Sequence, residues 1–135
     1  MMSDGASQVA RPKARLHVLV VEDHADTASA MQKLLSLHGF TVRSVGSYRQ
    51  ALSTATEWMP DVLICDIVLP GKDGIELMKT MRQAYPRLCG IVVSGHADKQ
   101  LMHKSREAGF SDYLVKPVQI DLLVHAIRRM FVSGN

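Results

Sequence analysis

The sequence predicts an α/β fold, a parallel five-stranded sheet covered by helices on both faces. Three observations predict it. Five short apolar runs alternate with five longer segments whose apolar residues recur at helical spacing. The connections between them are short, as in consecutive strand–helix units. The central run, Val62 to Cys65, is apolar at every position, which suits a strand buried on both faces.

Size and composition bound the rest. The chain has 135 residues, enough for one domain. Its hydrophobic content is 47% and its charged content 21%, ordinary values for a globule. No apolar run approaches the ~20 residues of a membrane span, and Met1 to Arg15 lacks the apolar centre of a signal peptide. A net charge of +3 spread along the chain gives no basic block for nucleic acid. The expectation is a cytoplasmic protein with no membrane partner and no direct nucleic-acid binding. Residues 1–15 read as a flexible arm, 16–132 as the folded domain and 133–135 as a tail, with no output domain in these residues. Cys65 and Cys89 match no metal spacing and are expected to be buried, reduced thiols.

Leu16 to Val21 is the first strand and runs into two adjacent acids, Glu22 and Asp23. Either could cap the next helix; capping accounts for one acid, not both. That helix, Asp26 to His38, has Ala28, Met31 and Leu35 as its core stripe, with Thr27, Ala30 and Leu34 facing outward, and stops at Gly39. Thr41 to Val45 is a short strand. Ser47 is placed to cap a helix running to about Met59, with Ala51, Leu52 and Ala55 inward. Val62 to Cys65 leads into Asp66. Asp73 or Gly74 opens a helix whose apolar side is Ile75, Leu77, Met78 and Met81. Ile91 to Val93 is the fourth strand and ends in Ser94-Gly95-His96, where Gly95 implies a close neighbour against the backbone. Asp98 to Ala108 is sparsely apolar, with Leu101, Met102 and Ala108 alone, and so is expected to be loosely anchored. Tyr113 to Val115 ends in Lys116-Pro117. The last helix, from about Gln119 to Val132, has a core stripe of Ile120, Leu123, Val124, Ile127 and Phe131 beside a second one of Leu122, Ala126 and Met130.

In a parallel sheet the carboxyl ends of the strands share one edge, where ligands bind. Glu22, Asp23, Asp66, Ser94 and Lys116 all fall at such ends. Three acids in one cleft repel each other by roughly a few kcal/mol per pair, so the cluster calls for a cation. All-oxygen donors suit a hard ion such as Mg²⁺. An aspartate beside such an ion is a competent nucleophile toward phosphorus, with Lys116 and Ser94 available to the phosphoryl oxygens. Taken singly, Lys116 reads as a surface lysine, Ser94 as a turn former, Asp66 as a cap and Glu22-Asp23 as a solvated strand end. Their joint placement at successive strand ends carries the functional expectation.

These residues resemble the receiver domain of two-component response regulators. The likeness covers about Leu16 to Val132 and rests on Val-Leu-Val-Val-Glu-Asp at 18–23, Asp-Val-Leu-Ile-Cys-Asp-Ile-Val-Leu-Pro-Gly-Lys-Asp-Gly at 61–74, Ser-Gly-His at 94–96 and Tyr-Leu-Val-Lys-Pro at 113–117. The resemblance implies a flavodoxin-like (βα)5 sandwich with strand order 2-1-3-4-5. It implies Asp66 as phosphoacceptor and Mg²⁺, or Mn²⁺ in its place, held by Asp23, Asp66 and the backbone carbonyl of Val68, with Glu22 acting through a water. Glu22 stands where Asp is commoner. Ser94 and Lys116 would bind the phosphoryl group, Tyr113 would be the aromatic switch and the Lys116-Pro117 bond would be cis. Val68 and His96 occupy positions that tune phosphoryl lifetime.

A partner follows from the resemblance: a sensor histidine kinase or histidine phosphotransfer protein. The chain would be a regulatory domain that catalyses only its own phosphorylation and slow dephosphorylation. The surface of the fourth helix, fifth strand and fifth helix, including Leu101, Met102, Leu122, Ala126 and Met130, would change on phosphorylation and is a candidate homodimer face. Two other classes were weighed: a Mg²⁺-dependent aspartyl phosphohydrolase, which usually needs an acid where Val68 stands, and an interaction module that never receives phosphate.

Overall fold

A computed structural model describes residues 15–132. The strands are β1 (His17–Val21), β2 (Thr41–Val45), β3 (Val62–Cys65), β4 (Cys89–Ser94) and β5 (Asp112–Val115). The helices are α1 (Ala25–Leu37), α2 (Tyr48–Glu57), α3 (Gly74–Ala84), α4 (Lys99–Ala108) and α5 (Ile120–Val132). The strands form one sheet in the order β2-β1-β3-β4-β5, and every pairing is parallel. The expected arm and tail, apart from Arg15, lie outside the described residues. Among the described residues no helix is long and apolar enough to cross a membrane.

Strand alternation divides the core in two. Leu19, Val21, Leu63, Cys65 and Val92 face one layer, against Ala51 and Ala55 of α2 and Leu77, Met78 and Met81 of α3. Val18, Val20, Val62, Ile64, Ile91 and Val93 face the other, against Leu35 of α1 and Leu123, Val124 and Ile127 of α5. Three of the helices start on side-chain caps, each worth ~1 kcal/mol. Ser47 accepts from the Gln50 N–H, Asp73 from Glu76, and Asp98 from both Gln100 and Leu101. These caps pin the turns that leave the upper edge of the sheet.

Several expectations are corrected. Phe131, assigned to the core, is 40% exposed, while Ala126, from the second stripe and expected on the changing surface, is 3% exposed and belongs to the apolar core. The helical repeat drifts past the end of the sheet, so the last position of an apolar stripe loses its partner. Cys89 is half-buried, as part of a β4 that starts two residues earlier than expected. Ser105 is buried in the otherwise polar α4 because its hydroxyl donates to the Met102 carbonyl. The N-cap of α1 is His24, not an acid, and its side chain makes no cap bond.

Gly95 has open space around it, contrary to expectation. Close approaches fall instead at Gly90, where an added Cβ would meet Met78 and Phe110, at Gly109, where it would meet Arg82, and at Gly74. A Cβ at Gly74 would lie 2.2 Å from the Asp66 carbonyl oxygen and 2.7 Å from the Cys65 sulfur. Helix α3 therefore starts directly against the backbone of Asp66, held by the Gly74 N–H to Ile67 carbonyl bond of 2.7 Å. Gly74→Ala is expected to destabilise the fold by about 1–3 kcal/mol, and Gly95→Ala to change it by less than about 0.5 kcal/mol. Urea unfolding of the two variants checks both values.

Candidate functional site

The site grows out of strand register and parity. Val21 pairs with Cys65 across β1 and β3, so the next residues, Glu22 and Asp66, leave the sheet side by side. They share the parity of Val20 and Ile64, the face covered by α1 and α5. Lys116 follows β5 and is tied back to the sheet by its N–H to the Ser94 carbonyl, 2.8 Å. The peptide that follows it, Lys116-Pro117, is cis. The Lys116 ammonium donates to Asp66 Oδ2 at 2.8 Å and to Glu22 Oε1 at 3.1 Å. The other Asp66 oxygen, Oδ1, accepts the Val68 N–H at 3.2 Å.

Glu22 is almost fully buried, 4% exposed, and Asp66 is 14% exposed at its side chain. Burial pushes the Glu22 carboxyl up. Bonds from the His24 ring and His24 N–H, and then from Lys116, outweigh burial and hold it below its ordinary value. Burial pulls the Lys116 ammonium down, and its bonds to Asp66 and Glu22 more than reverse that and raise it. The Cys65 thiol is pushed well up by burial and then by the Asp66 charge, so it stays protonated and inert.

A second cluster lies one strand over. Ser94 is fully buried, and its Oγ accepts the His96 N–H at 3.2 Å. The Tyr113 hydroxyl donates to the His96 carbonyl at 2.6 Å. The peptide groups of His96 thus join Ser94 to Tyr113. A cavity of about 670 Å³ opens beside it, lined by Val68, Lys72, His96 and Leu101 among others.

Comparison with known proteins agrees with this architecture. The family model described as response regulator receiver domain matches residues 18–128. The chain belongs to the response regulator receiver domain family. The C4-dicarboxylate transport transcriptional regulatory protein DctD of Rhizobium meliloti is 36% identical over 112 residues, covering 83% of this chain and 24% of that protein. A cyclic di-GMP phosphodiesterase of Thermotoga maritima is 35% identical over 115 residues, 82% of this chain and 31% of that protein. The chain thus spans about a quarter to a third of the length of these relatives. Among solved structures, a CheY-like receiver domain protein from Methanospirillum hungatei shares 25% identity at a TM-score of 0.79, over 86% of this chain and 94% of that one. A two-component response regulator from Clostridium difficile, 17% identical, has the same fold at a TM-score of 0.84 over 90% of this chain and all of that one.

Receiver domains serve two-component phosphorelay signalling, take Mg²⁺ through acidic residues and meet histidine kinases or phosphotransfer proteins. The donors here fit such an ion. Three carboxylates, Glu22, Asp23 and Asp66, share the upper edge with the single ammonium of Lys116, which leaves an excess of negative charge for a hard divalent cation to balance. These are the side chains that could hold it. Of the residues singled out from sequence, Glu22, Asp66 and Lys116 are in direct contact. Asp23 lies beside them, while Ser94 and Tyr113 meet at His96. Sequence reasoning missed His24, whose Nδ1 sits 3.0 Å from Glu22 Oε2 and 3.4 Å from Asp23 Oδ1. Its place directly after the acid pair was the available signal.

The Glu22 shift has a sign that can be checked. A carboxyl lowered in the fold stabilises it above the unfolded value of about 4.5. That stabilisation disappears as pH falls through the lowered folded value. Lys116→Met removes one of the bonds that oppose burial, so the Glu22 carboxyl is expected to titrate higher in that variant. Carbon-detected NMR titration of the side-chain carboxyl reads the change.

Proposed function

We propose that Asp66 accepts a phosphoryl group from a phosphohistidine on a sensor histidine kinase or a histidine phosphotransfer protein, on the cytoplasmic side of a signalling pathway. The observation that carries this is the Lys116 ammonium held between Asp66 and Glu22 at the ends of adjacent strands. Bound Mg²⁺, or Mn²⁺, at Glu22, Asp23, Asp66 and the Val68 carbonyl would screen charge between the nucleophile and the incoming phosphoryl group. A carboxylate oxygen of Asp66 attacks phosphorus, the P–N bond of the donor breaks, and its electron pair stays on the imidazole nitrogen, which takes a proton. Lys116 already donates to Asp66, and it turns that donation to a phosphoryl oxygen once the acyl phosphate has formed. Hydrolysis later returns the carboxylate and releases inorganic phosphate. The role is regulatory: the domain acts on itself alone. Val68, two residues after Asp66 and 65% exposed, offers no general acid, which disfavours turnover of phosphate esters.

The His96 peptides supply a route from phosphate to surface. If the Ser94 hydroxyl turns to a phosphoryl oxygen, it gives up the His96 N–H. The β4–α4 turn is then freed to shift, and with it the carbonyl that holds the Tyr113 hydroxyl. Half-buried Leu101 and Met102 on α4 and exposed Leu122 on α5 flank β5 and would carry the change outward. This surface, rather than one that includes Ala126, is the proposed partner and homodimer face.

Two outcomes test the proposal. Acetyl phosphate with Mg²⁺ is expected to label the wild-type chain with a hydroxylamine-sensitive, base-labile group, and Asp66→Asn to abolish the label; label retained in the variant overturns the assignment. At a Mg²⁺ concentration about 100 times the dissociation constant, the wild-type chain gains about 2.7 kcal/mol in urea unfolding. Asp66→Asn gains less at the same concentration.

A further inference from the structure

His24 is the one side chain at the site that the phosphoryl reaction leaves unused. It occupies the N-cap position of α1 yet makes no cap bond. Its ring is 76% exposed, so packing does not explain its orientation. Nδ1 points at two carboxylates, 3.0 Å from Glu22 Oε2 and 3.4 Å from Asp23 Oδ1. The main-chain N–H of His24 also donates to Glu22 Oε2, at 3.2 Å, which fixes the base of the side chain against the same oxygen. The ligand atoms of Glu22, Asp23 and His24 all lie within 4.8 Å of one another, close enough to meet a single ion. Glu22 is buried and its other oxygen is held by Lys116, so its Oε2 keeps a defined place facing the ring.

We propose that His24 is a nitrogen ligand of the divalent-metal site, so that this receiver selects borderline cations such as Mn²⁺, Co²⁺, Ni²⁺ or Zn²⁺ over Mg²⁺ more strongly than an all-oxygen site does. The inference rests on the assignment of Glu22 and Asp23 to that site. Imidazole adds little to the binding of Mg²⁺, a hard ion that prefers oxygen and retains its waters. It adds progressively more from Mn²⁺ to Ni²⁺ and Cu²⁺, and it suits Zn²⁺. One nitrogen beside two carboxylates therefore changes the ranking of metals without changing the acids. An exposed histidine can enter such a site at low cost, because no packing has to break.

The test measures affinities directly. Calorimetric titration of the full chain with Mg²⁺ and with Ni²⁺ gives the ratio of their dissociation constants. His24→Ala is expected to lower the preference for Ni²⁺ by about tenfold or more, on the scale that changes near a metal produce. Cu²⁺ bound to the wild-type chain is expected to show imidazole nitrogen coupling in pulsed EPR that His24→Ala lacks, and excess Mg²⁺ is expected to displace both ions. An unchanged ratio, absent nitrogen coupling, or Ni²⁺ that binds without lowering the affinity for Mg²⁺ overturns the proposal while leaving the Mg²⁺ site intact. If the wild-type chain binds no Mg²⁺, the underlying metal assignment falls, and this inference falls with it.

Discussion

The ammonium of Lys116 between Asp66 and Glu22 is the interaction on which the rest of the molecule depends. Two acids at the ends of neighbouring strands, one of them nearly buried, cannot share an edge uncompensated. One fixed positive charge reduces their repulsion without cancelling it, since Asp23 stands beside them. The edge is left with an excess of negative charge, which suits a divalent ion. A fully neutralised cluster would fold more comfortably and react less readily.

Backbone geometry makes that meeting possible. Parallel pairing puts Glu22 and Asp66 at the same height, and strand alternation turns both to the same face. Gly74 lets α3 begin against the Asp66 carbonyl, and Asp73 caps that helix, so Asp66 rests on a short and firmly tied turn. The two apolar layers keep the strands rigid below the edge. One strand away, in the turn after β4, His96 joins Ser94 to Tyr113 by two hydrogen bonds.

Most of the fold was legible because its signals are local. Val62–Cys65 reads as a buried strand from composition alone, Ser47 reads as a cap, and the helix starts at Asp73 or Gly74 and at Asp98 are legible from the residues that follow them. The errors share a cause. Phe131 and Ala126 were placed by helical period, which says which residues share a stripe but not where the sheet beneath ends. Gly95 was read as a close contact because glycine announces freedom without saying who uses it; Gly74, Gly90 and Gly109 are crowded by neighbours instead.

By itself the sequence determined the order of elements, the apolar layers and the gathering of Glu22, Asp23, Asp66, Ser94 and Lys116 at strand ends, since each depends on periodicity and on neighbours close in the chain. Only the tertiary structure decided who touches whom across that edge. It set Lys116 against two acids 94 and 50 residues away, gave the Ser94 hydroxyl to His96, and aimed the His24 ring at Glu22 and Asp23. Such contacts depend on register between distant strands and on the direction of single side chains, and a linear pattern of residue types encodes neither.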